Sequence, residues 1–294
     1  MQVTVIGCAG SFPGPDSPAS CYLLEAEGFR LVIDMGNGSL GVLQRYAELF
    51  GIDAICLSHL HADHCIDLAA YWVARQFAPD GAQPPIPVYG PPGTATRVTP
   101  HLGPSDDPAS DDPASDDSAS DDSASGHPAS DDSAGDHPAA GPERPRFDFH
   151  DLAVGTAEVG PFRITADRMN HPVETFGFRV EHEDWRLAYS ADTGESDALV
   201  RLAEGADLLL CEASFLDGQD TRPNLHLTAR QAAEHADRAG VGQLVLTHLV
   251  PWNDRGRSLT EASAAYHGPL SLASSGLVLG PAHPGSGSPP PAGR

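Results

Sequence analysis

The run Ser-His-Leu-His-Ala-Asp-His at positions 58–64 places three imidazoles and one carboxylate within a few residues of each other. Each polar ring needs a partner once it is buried, and a metal ion is a common partner for such a set. Imidazole nitrogen and carboxylate oxygen, without thiolate, suit zinc, manganese or iron. The run therefore predicts a metal site built on His59, His61, Asp63 and His64, and the alternative is a surface loop that is rich in histidine by chance.

The segments on either side of this run indicate how it could hold ions. The apolar residues 54–57 predict a buried strand, and the apolar spacing of residues 65–78 predicts a helix. The histidines are thus expected on a strand-to-helix loop. Because residues two apart do not face each other on a helix, a tight loop is needed to bring His59 and His61 to one ion. Asp63 and His64 are then expected to turn to a second ion.

The motif H-x-H-x-D-H resembles the metallo-β-lactamase superfamily, and the resemblance covers residues 1–280 apart from one insertion. It implies an α+β fold, the four-layer αββα sandwich, with two divalent metal ions, expected to be zinc, with manganese as the alternative. It also implies three further ligands, each at or just beyond an apolar run. By this resemblance one ion is held by His59, His61 and His171, the other by Asp63, His64 and His248, and Asp192 bridges both.

A proton donor for a leaving group is the part that metal ions do not supply. His226 precedes a predicted helix and Glu212 ends an apolar run, so Glu212 could orient His226 and raise its pKa. Both positions resemble the Glu and His pair of the ribonuclease Z-like branch, which makes catalytic roles the expectation, with Asp63 helping to hold the attacking water. The alternatives are a histidine that supports the helix start and a carboxylate that binds nearby amides.

Asp34, in the sequence Ile-Asp-Met-Gly-Asn-Gly at 33–38, stands ahead of the histidine run. In the resembled fold this residue supports the ligand loop from behind, as outer carboxylates commonly orient metal-bound imidazoles. The alternative is a turn-forming aspartate before Gly36.

The cysteine pattern bears on the compartment and on the metal. The five cysteines mostly lie in apolar runs and are expected to be small buried side chains in a reducing compartment. Cys65 could be a soft ligand, but it is expected to begin a helix and point elsewhere. No signal-peptide pattern and no apolar run of membrane-span length is visible, so a cytoplasmic protein without membrane contact is expected.

Charge separates the substrate classes. The formal net charge of the 294 residues is −24, and eleven aspartates lie between positions 104 and 141, which leaves −13 for the rest. The basic residues are all arginine and form no run that could follow a phosphate backbone. The charge therefore disfavours long nucleic acids as partners, whereas a metal pair can attract a compact anion locally.

The spacing of two predicted ligands sharpens this expectation. Transfer RNA processing members of the resembled branch carry a protruding arm, commonly between the third-motif histidine and the bridging aspartate. Here only twenty residues separate His171 from Asp192, so no arm fits. The pattern instead resembles the actinobacterial cyclic-nucleotide phosphodiesterases of this fold. This implies hydrolysis of a small phosphodiester, above all a cyclic 3′,5′-nucleotide such as cyclic AMP, to the 5′-nucleoside monophosphate.

Other functions stay open at this point. The first is a ribonuclease Z-type endonuclease that cleaves at the 3′ end of transfer RNA, and the second is a hydrolase of a lactone, thioester or lactam. A metal-binding scaffold without catalysis is the third. A homodimer is a further possible partner, since dimers are common in the resembled branch.

The organisation of the chain follows from its composition. One domain is predicted over residues 1–280, interrupted at 104–141 by an acidic repeat that has no large apolar residue and is expected to be disordered, as is the tail at 281–294. Apolar spacing predicts a helix at 40–50 and a strand at 157–167. Capping boxes are predicted for helices that begin at Thr228, with Gln231, and at Ser258, with Glu261.

Overall fold

The structure, a computed structural model, describes residues 1–98, 146–219 and 222–281. Two seven-stranded mixed sheets pack face to face in these ranges, and helices cover their outer faces. This arrangement confirms the expected four-layer α+β sandwich. The acidic repeat at 104–141 and the tail beyond residue 281 lie outside the described residues, so their disorder and the single interrupted domain stay predictions.

The first sheet comes mainly from the amino-terminal part of the chain. Its strands are β1 (Gln2–Gly7), β2 (Cys21–Ala26), β3 (Phe29–Ile33), β4 (Ala54–Cys56), β5 (Ile86–Gly90), β6 (Phe147–Asp151) and β14 (Val278–Leu279). They follow each other across the sheet in chain order, with β14 outside β1. Neighbours from β3 to β6 are parallel, so the carboxyl ends of these strands share one edge.

The second sheet repeats this plan with the later part of the chain. Its strands are β7 (Gly155–Val159), β8 (Phe162–Arg168), β9 (Phe176–His182), β10 (Trp185–Tyr189), β11 (Leu208–Glu212), β12 (Leu244–Thr247) and β13 (Leu270–Leu272). Strands β7 to β10 are antiparallel, and β10 to β13 are parallel. The carboxyl ends of β10, β11 and β12 therefore also share one edge.

Helices on the outer faces complete the layers. The first sheet is covered by α1 (Ser39–Leu43), α2 (Ala62–Cys65), α3 (Asp67–Gln76) and α4 (Thr94–Val98). The second is covered by α5 (Asp197–Ala203), α6 (Ala229–Ala239) and α7 (Arg255–Ser263). Within the described ranges none of the helices has the length and apolarity that crossing a membrane requires.

Apolar side chains alternate between two cores along each central strand. In β10, Leu187 and Tyr189 point between the sheets, whereas Ala188 points to the helices. Because successive side chains of a strand face opposite ways, a strand buried on both faces must be apolar throughout. Each fully buried aliphatic side chain stabilises the fold by roughly 1.5–3 kcal/mol, and these strands hold the site edge rigidly.

Two element predictions were wrong in extent. The helix predicted at 40–50 ends at Leu43, and turns that close on the Leu43 carbonyl carry the apolar spacing onward to Ala47. The strand predicted at 157–167 is the hairpin of β7 and β8, because Gly160 turns the chain with a φ of 57°. Both errors have one cause, since a turn can preserve the spacing of apolar residues without continuing the element.

The two predicted capping boxes had different outcomes. Thr228 caps α6 and its box with Gln231 is present in both directions. The start predicted at Ser258 was wrong: α7 begins at Arg255, and the carboxylate of Asp254 accepts the amides of Gly256 and Arg257. Glu261 instead pairs with Arg257 at 2.7 Å, so its charge stabilises the middle of the helix rather than its start.

Candidate active site

One edge of the sandwich collects every residue that the sequence predicted as a metal ligand. His59 and His61 follow β4, and His171 lies in the loop that leads into β9. Asp192 follows β10, and His248 follows β12. The expected strand-to-helix loop is shorter than predicted, because Asp63 and His64 already belong to α2. Parallel strands whose carboxyl ends meet at one edge thus bring distant parts of the chain together.

A first group of donors contains His59, His61, His171 and Asp192, whose donor atoms all lie within 4.8 Å of one another. Nε2 of His59 is 3.1 Å from Nδ1 of His61, which is 3.4 Å from Nε2 of His171. Oδ2 of Asp192 lies 3.6 Å from Nε2 of His59. Three ring nitrogens and one carboxylate oxygen therefore face a common point.

A second group contains Asp63, His64, Asp192 and His248, again within 4.8 Å of one another. Nε2 of His248 is 3.1 Å from Oδ2 of Asp63 and 3.3 Å from Nε2 of His64. The four residues are buried. Cys65 belongs to none of the groups found among the described residues, and burial raises the pKa of its thiol to about 11.

Asp192 takes part in both groups with a different oxygen in each. Oδ2 faces the first group, and Oδ1 lies 3.2 Å from Nε2 of His64 in the second. Oδ1 is buried and accepts no hydrogen bond, which is costly for a carboxylate oxygen. Ring nitrogens that face each other also cannot all carry protons. Cations bound by the two groups would satisfy both the oxygen and the nitrogens, so the residues present fit divalent metal ions.

The outer nitrogens of four imidazoles are fixed by hydrogen-bonding partners. These contacts join Nδ1 of His59 to Oγ of Ser58 (3.0 Å), Nδ1 of His64 to Oδ2 of Asp34 (2.8 Å), Nδ1 of His171 to the carbonyl of Leu225 (2.9 Å) and Nδ1 of His248 to Oγ of Ser214 (2.8 Å). Each such bond sets the orientation of the ring and leaves Nε2 for the centre. Of these partners only Asp34 was expected from the sequence.

Asp34 is fully buried behind the histidine run. Its Oδ1 accepts the amide of Ser58 at 2.7 Å, and its Oδ2 accepts the hydroxyls of Ser58 and Tyr189 at 2.9 and 2.8 Å. The same Oδ2 contacts His64. The carboxylate therefore ties the start of the histidine run to both sheets, as its expected supporting position requires.

Three residues at the site edge adopt backbone conformations that non-glycine residues rarely use. Asp34, Ala191 and His248 have φ values of 61°, 51° and 54°. Asp34 and His248 directly follow β3 and β12, and Ala191 is the second residue after β10. Each such residue costs on the order of 1–2 kcal/mol. The surrounding packing holds these sharp bends, which aim the Asp192 and His248 side chains at the centre.

The electrostatics of the site favour neutral imidazoles at three of the ligand positions and ionised carboxylates at Asp63 and Asp192. Burial lowers the pKa of His59, His61 and His171, so these rings stay neutral near pH 7. Burial opposes ionisation of Asp192, but the imidazoles of His248 and His64 outweigh it and hold the pKa of the carboxyl well below its usual range. His64 is the exception: burial lowers its pKa, but the carboxylates of Asp192 and Asp34 outweigh burial and hold it well above the usual range, so a metal ion bound there would replace a proton.

Glu212 and His226 lie together beside the two groups. Oε1 of Glu212 is 2.9 Å from Nδ1 of His226 and also accepts the amide of Thr193 at 2.9 Å, while Oε2 accepts the amide of Ser214 at 3.1 Å. Nδ1 of His226 is 4.0 Å from Oδ2 of Asp192. Burial lowers the pKa of His226, but the carboxylate of Glu212 outweighs it and raises the pKa to about 9. The ring is therefore protonated at neutral pH.

The loop that carries His226 is clamped to the loop that carries His171. The side-chain amide (Nδ2) of Asn170 donates to Oδ1 of Asn224 at 3.0 Å and to the carbonyl of Glu195 at 2.9 Å. Asn224 is left-handed, with a φ of 60°. The sequence reasoning missed Asn170, Asn224 and Ser214. The signal for Asn170 was its place directly before His171, but the partners of such amides depend on loop geometry.

Comparisons with known proteins agree with this geometry. Residues 30–249 match the β-lactamase superfamily domain. The Mycobacterium tuberculosis protein Rv1339 is 39% identical over 277 residues, which cover 92% of this chain and 88% of the relative. Ribonuclease Z of Mycobacterium bovis BCG is 32% identical over 270 residues, covering 85% and 86%. The crystal structure of the metallo-β-lactamase fold protein YhfI from Bacillus subtilis superposes with a TM-score of 0.75 at 26% identity, covering 95% and 98%.

The chain therefore belongs to the β-lactamase superfamily and fits its ribonuclease Z-like branch. The family and the two donor groups together support a metal-dependent hydrolase.

Proposed function

We propose that this protein is a dinuclear metal-dependent phosphodiesterase that hydrolyses a cyclic 3′,5′-nucleotide, such as cyclic AMP, to the 5′-nucleoside monophosphate. His59, His61 and His171 would hold one ion, Asp63, His64 and His248 the other, and Asp192 would hold both. When bound, two divalent ions, expected to be zinc, lower the pKa of a water molecule and neutralise charge on the phosphate oxygens.

The observation that carries the proposal is the pairing of His226 with Glu212 at 2.9 Å, beside Asp192. Hydrolysis of the cyclic phosphodiester joins a water oxygen to phosphorus, with the proton of that water released to solvent, and breaks the bond between phosphorus and the ribose 3′ oxygen, which leaves with negative charge. A protonated imidazole at this place can give its proton to that oxygen. Glu212 keeps His226 charged and oriented, and Asp63 would help to hold the attacking water.

Two features favour a small substrate. Strands β9 and β10 are joined by a tight turn between His182 and Trp185, so the segment between His171 and Asp192 forms no arm that could grip RNA. The chain also carries a net charge of −24, which disfavours a long polyanion outside the metal centre.

The test is hydrolysis of cyclic AMP by purified, metal-loaded protein. Activity should stop on chelation and in His61→Ala. His226→Ala should reduce kcat by roughly 10²–10⁴-fold for cyclic AMP, because the 3′ alkoxide needs a proton. The same variant should lose much less activity on a p-nitrophenyl phosphodiester, whose leaving group is stable without one. Intact cyclic AMP in the presence of metal-loaded wild type would refute the substrate.

A ribonuclease Z-type endonuclease is the second candidate, because ribonuclease Z of Mycobacterium bovis BCG is 32% identical to this chain over 270 residues. Cleavage of a precursor transfer RNA, with affinity that falls steeply as salt rises, would favour it. Hydrolysis of a lactone, thioester or lactam is a third candidate. That reaction does not need the Glu212 and His226 pair, so a rate that is indifferent to His226→Ala would favour it.

A further inference from the structure

A cavity of about 310 Å³ opens between the two sheets at their β6 and β7 edges. One wall carries Tyr89 of β5 and His150 of β6, and the other carries Ile164 and Ala166 of β8. Cys56, at the end of β4, also lines it. The volume is at the lower end of what small-ligand pockets have, so the cavity could take one compact group.

Small side chains leave this space at the edge of a core that elsewhere holds large aliphatic and aromatic side chains. The side chains that line the cavity include Cys56 of the first sheet and Ala157 and Ala166 of the second sheet. Strand β9, next to β8 in the second sheet, carries the larger Phe176 and Phe178 in the core between the sheets. Protein interiors are normally packed to crystal-like density, whereas here the two sheets leave an open cleft at their edge. The small residues therefore leave room where core packing alone would favour larger ones.

The cavity lies at the same end of the sandwich as the metal ligands. Cys56 precedes His59 by three residues, Tyr89 is near the carboxyl end of β5, and Ala166 is near the carboxyl end of β8. Strands β5 and β6 are the first and second neighbours of β4. Neighbouring strands are about 4.8 Å apart, so the cavity begins roughly 5–10 Å to the side of the histidine run.

The chemistry of the walls selects a flat, uncharged group. The rings of Tyr89 and His150 are stacked, with centroids 5.0 Å apart and planes 22° apart, and they face the apolar side chains of Ile164 and Ala166. Nε2 of His150 is 3.1 Å from the carboxylate of Asp148, and Asp151 also lies at the rim. Acidic residues at the opening disfavour a phosphate here, whereas stacked rings and aliphatic walls suit an aromatic base.

We propose that this cavity binds the nucleobase of a nucleotide substrate whose phosphate is held at the metal centre. The inference rests on the proposed function, which supplies the phosphate group, and it adds the part of the protein that recognises the rest of the substrate. Tyr89 would stack on the base with the ring face that His150 leaves free, and Ala166 would leave the room the base needs.

Binding of adenosine, which has no phosphate, tests the cavity without catalysis. In calorimetric titrations Tyr89→Leu should weaken adenosine binding by about tenfold, the loss expected for one stacking contact, whereas Tyr89→Phe should retain it. Ala166→Leu should fill the cavity and abolish binding. The matched control is Ala264→Leu, at the exposed C-cap of α7 and outside the lining of the cavity, which should bind adenosine as the wild type does.

Kinetics give a second readout on the same variants. The KM for cyclic AMP should rise about tenfold in Tyr89→Leu with little change in kcat, while hydrolysis of ribose 3′,5′-cyclic phosphate that lacks a base should be unchanged. Unchanged adenosine affinity in both Tyr89→Leu and Ala166→Leu would overturn the base site. If Ala166→Leu does not fold, the comparison of Tyr89→Phe with Tyr89→Leu decides.

The base site and the proposed reaction can fail separately. Wild type that binds adenosine through Tyr89 but leaves cyclic AMP intact would refute the reaction and keep the base site. If the wild type hydrolyses cyclic AMP and all four variants have the same KM as the wild type, the reaction is supported and the base site is refuted. Dodecyl phosphate serves as an aliphatic probe of the same cavity. Binding of dodecyl phosphate without binding of adenosine would assign the cavity to an aliphatic group and overturn the proposal.

Discussion

Glu212 binds His226 and the amide of Thr193 through the same carboxylate oxygen, at 2.9 Å in each case. Thr193 directly follows Asp192, which belongs to both donor groups. The orientation of the imidazole is therefore fixed relative to the proposed bridging carboxylate through two short contacts. These two contacts hold the proton donor at a fixed distance from a substrate bound at the same centre.

The substitution Glu212→Gln should shift the loss of activity at high pH toward neutral pH. Burial lowers the pKa of His226, but the Glu212 carboxylate outweighs burial, and the resulting pKa is about 9. His226 acts in its protonated form, so the rate persists below this pKa and falls as pH rises through it. Without the carboxylate charge the pKa falls and the loss begins at lower pH. The pH profile of kcat measures this, and Glu158→Gln, at an exposed position of β7, should leave it unchanged.

The substitution Asp192→Asn should reduce the metal content from two ions per chain to one or none. The two oxygens of Asp192 face different donor groups, and an amide offers one neutral oxygen in their place. Hydrolysis should fall by at least about a hundredfold, since metal stabilisation of the reaction amounts to several kcal/mol. Metal analysis by mass spectrometry checks this. Asp197→Asn on α5 is the control, and two ions retained in Asp192→Asn would contradict the bridging role.

The substitution Asp34→Ala should weaken metal binding by about 10–100-fold, the usual effect of removing a group that orients a ligand. It should also lower the free energy of unfolding by roughly 2–5 kcal/mol, because the buried amide and hydroxyl of Ser58 and the hydroxyl of Tyr189 lose their acceptor. Tyr189→Phe removes only one of these donors and should cost about 1 kcal/mol. Competition with a chromophoric chelator and urea unfolding measure the two effects, and equal metal affinity in Asp34→Ala and wild type would argue against the supporting role.

Removal of single capping side chains should show which residues cap α6 and α7. Thr228→Ala and Asp254→Ala should each lower the free energy of unfolding by about 1 kcal/mol, because each side chain accepts an amide at a helix start. Ser258→Ala should have a smaller effect, since its hydroxyl contacts the Asp254 carbonyl at 3.4 Å. Urea unfolding of the three variants checks this order, and a larger loss for Ser258→Ala than for Asp254→Ala would reverse the assignment.

The parts of the site that the sequence predicted well are those with a local signal. The histidine run at 59–64 identifies itself by density, and the apolar runs before it and before Glu212 predicted β4 and β11. Asp192 and His248 have no distinctive local pattern, and the family resemblance located them. The structure shows why they meet the run: each follows a parallel strand whose carboxyl end lies at the shared edge.

Other features depend on contacts that no local pattern contains. Ser214 faces His248 because β11 and β12 are paired, and Asn170 meets Asn224 because two loops cross. Strand β13 has only three half-buried residues, too few for a periodic signal. The cavity beside Tyr89 arises from small residues on separate strands, so it appears only when the two sheets are placed face to face.

Neither group of four donors can be assembled from one sheet. His59, His61, Asp63 and His64 follow β4 of the first sheet, whereas His171, Asp192 and His248 extend from the second. A chain in which only the first sheet has formed would offer an incomplete set of metal ligands, so tight metal binding would report that the two sheets have docked. Ions that bind the docked state alone would also hold the halves together, and chelators would then lower the melting temperature as well as the activity.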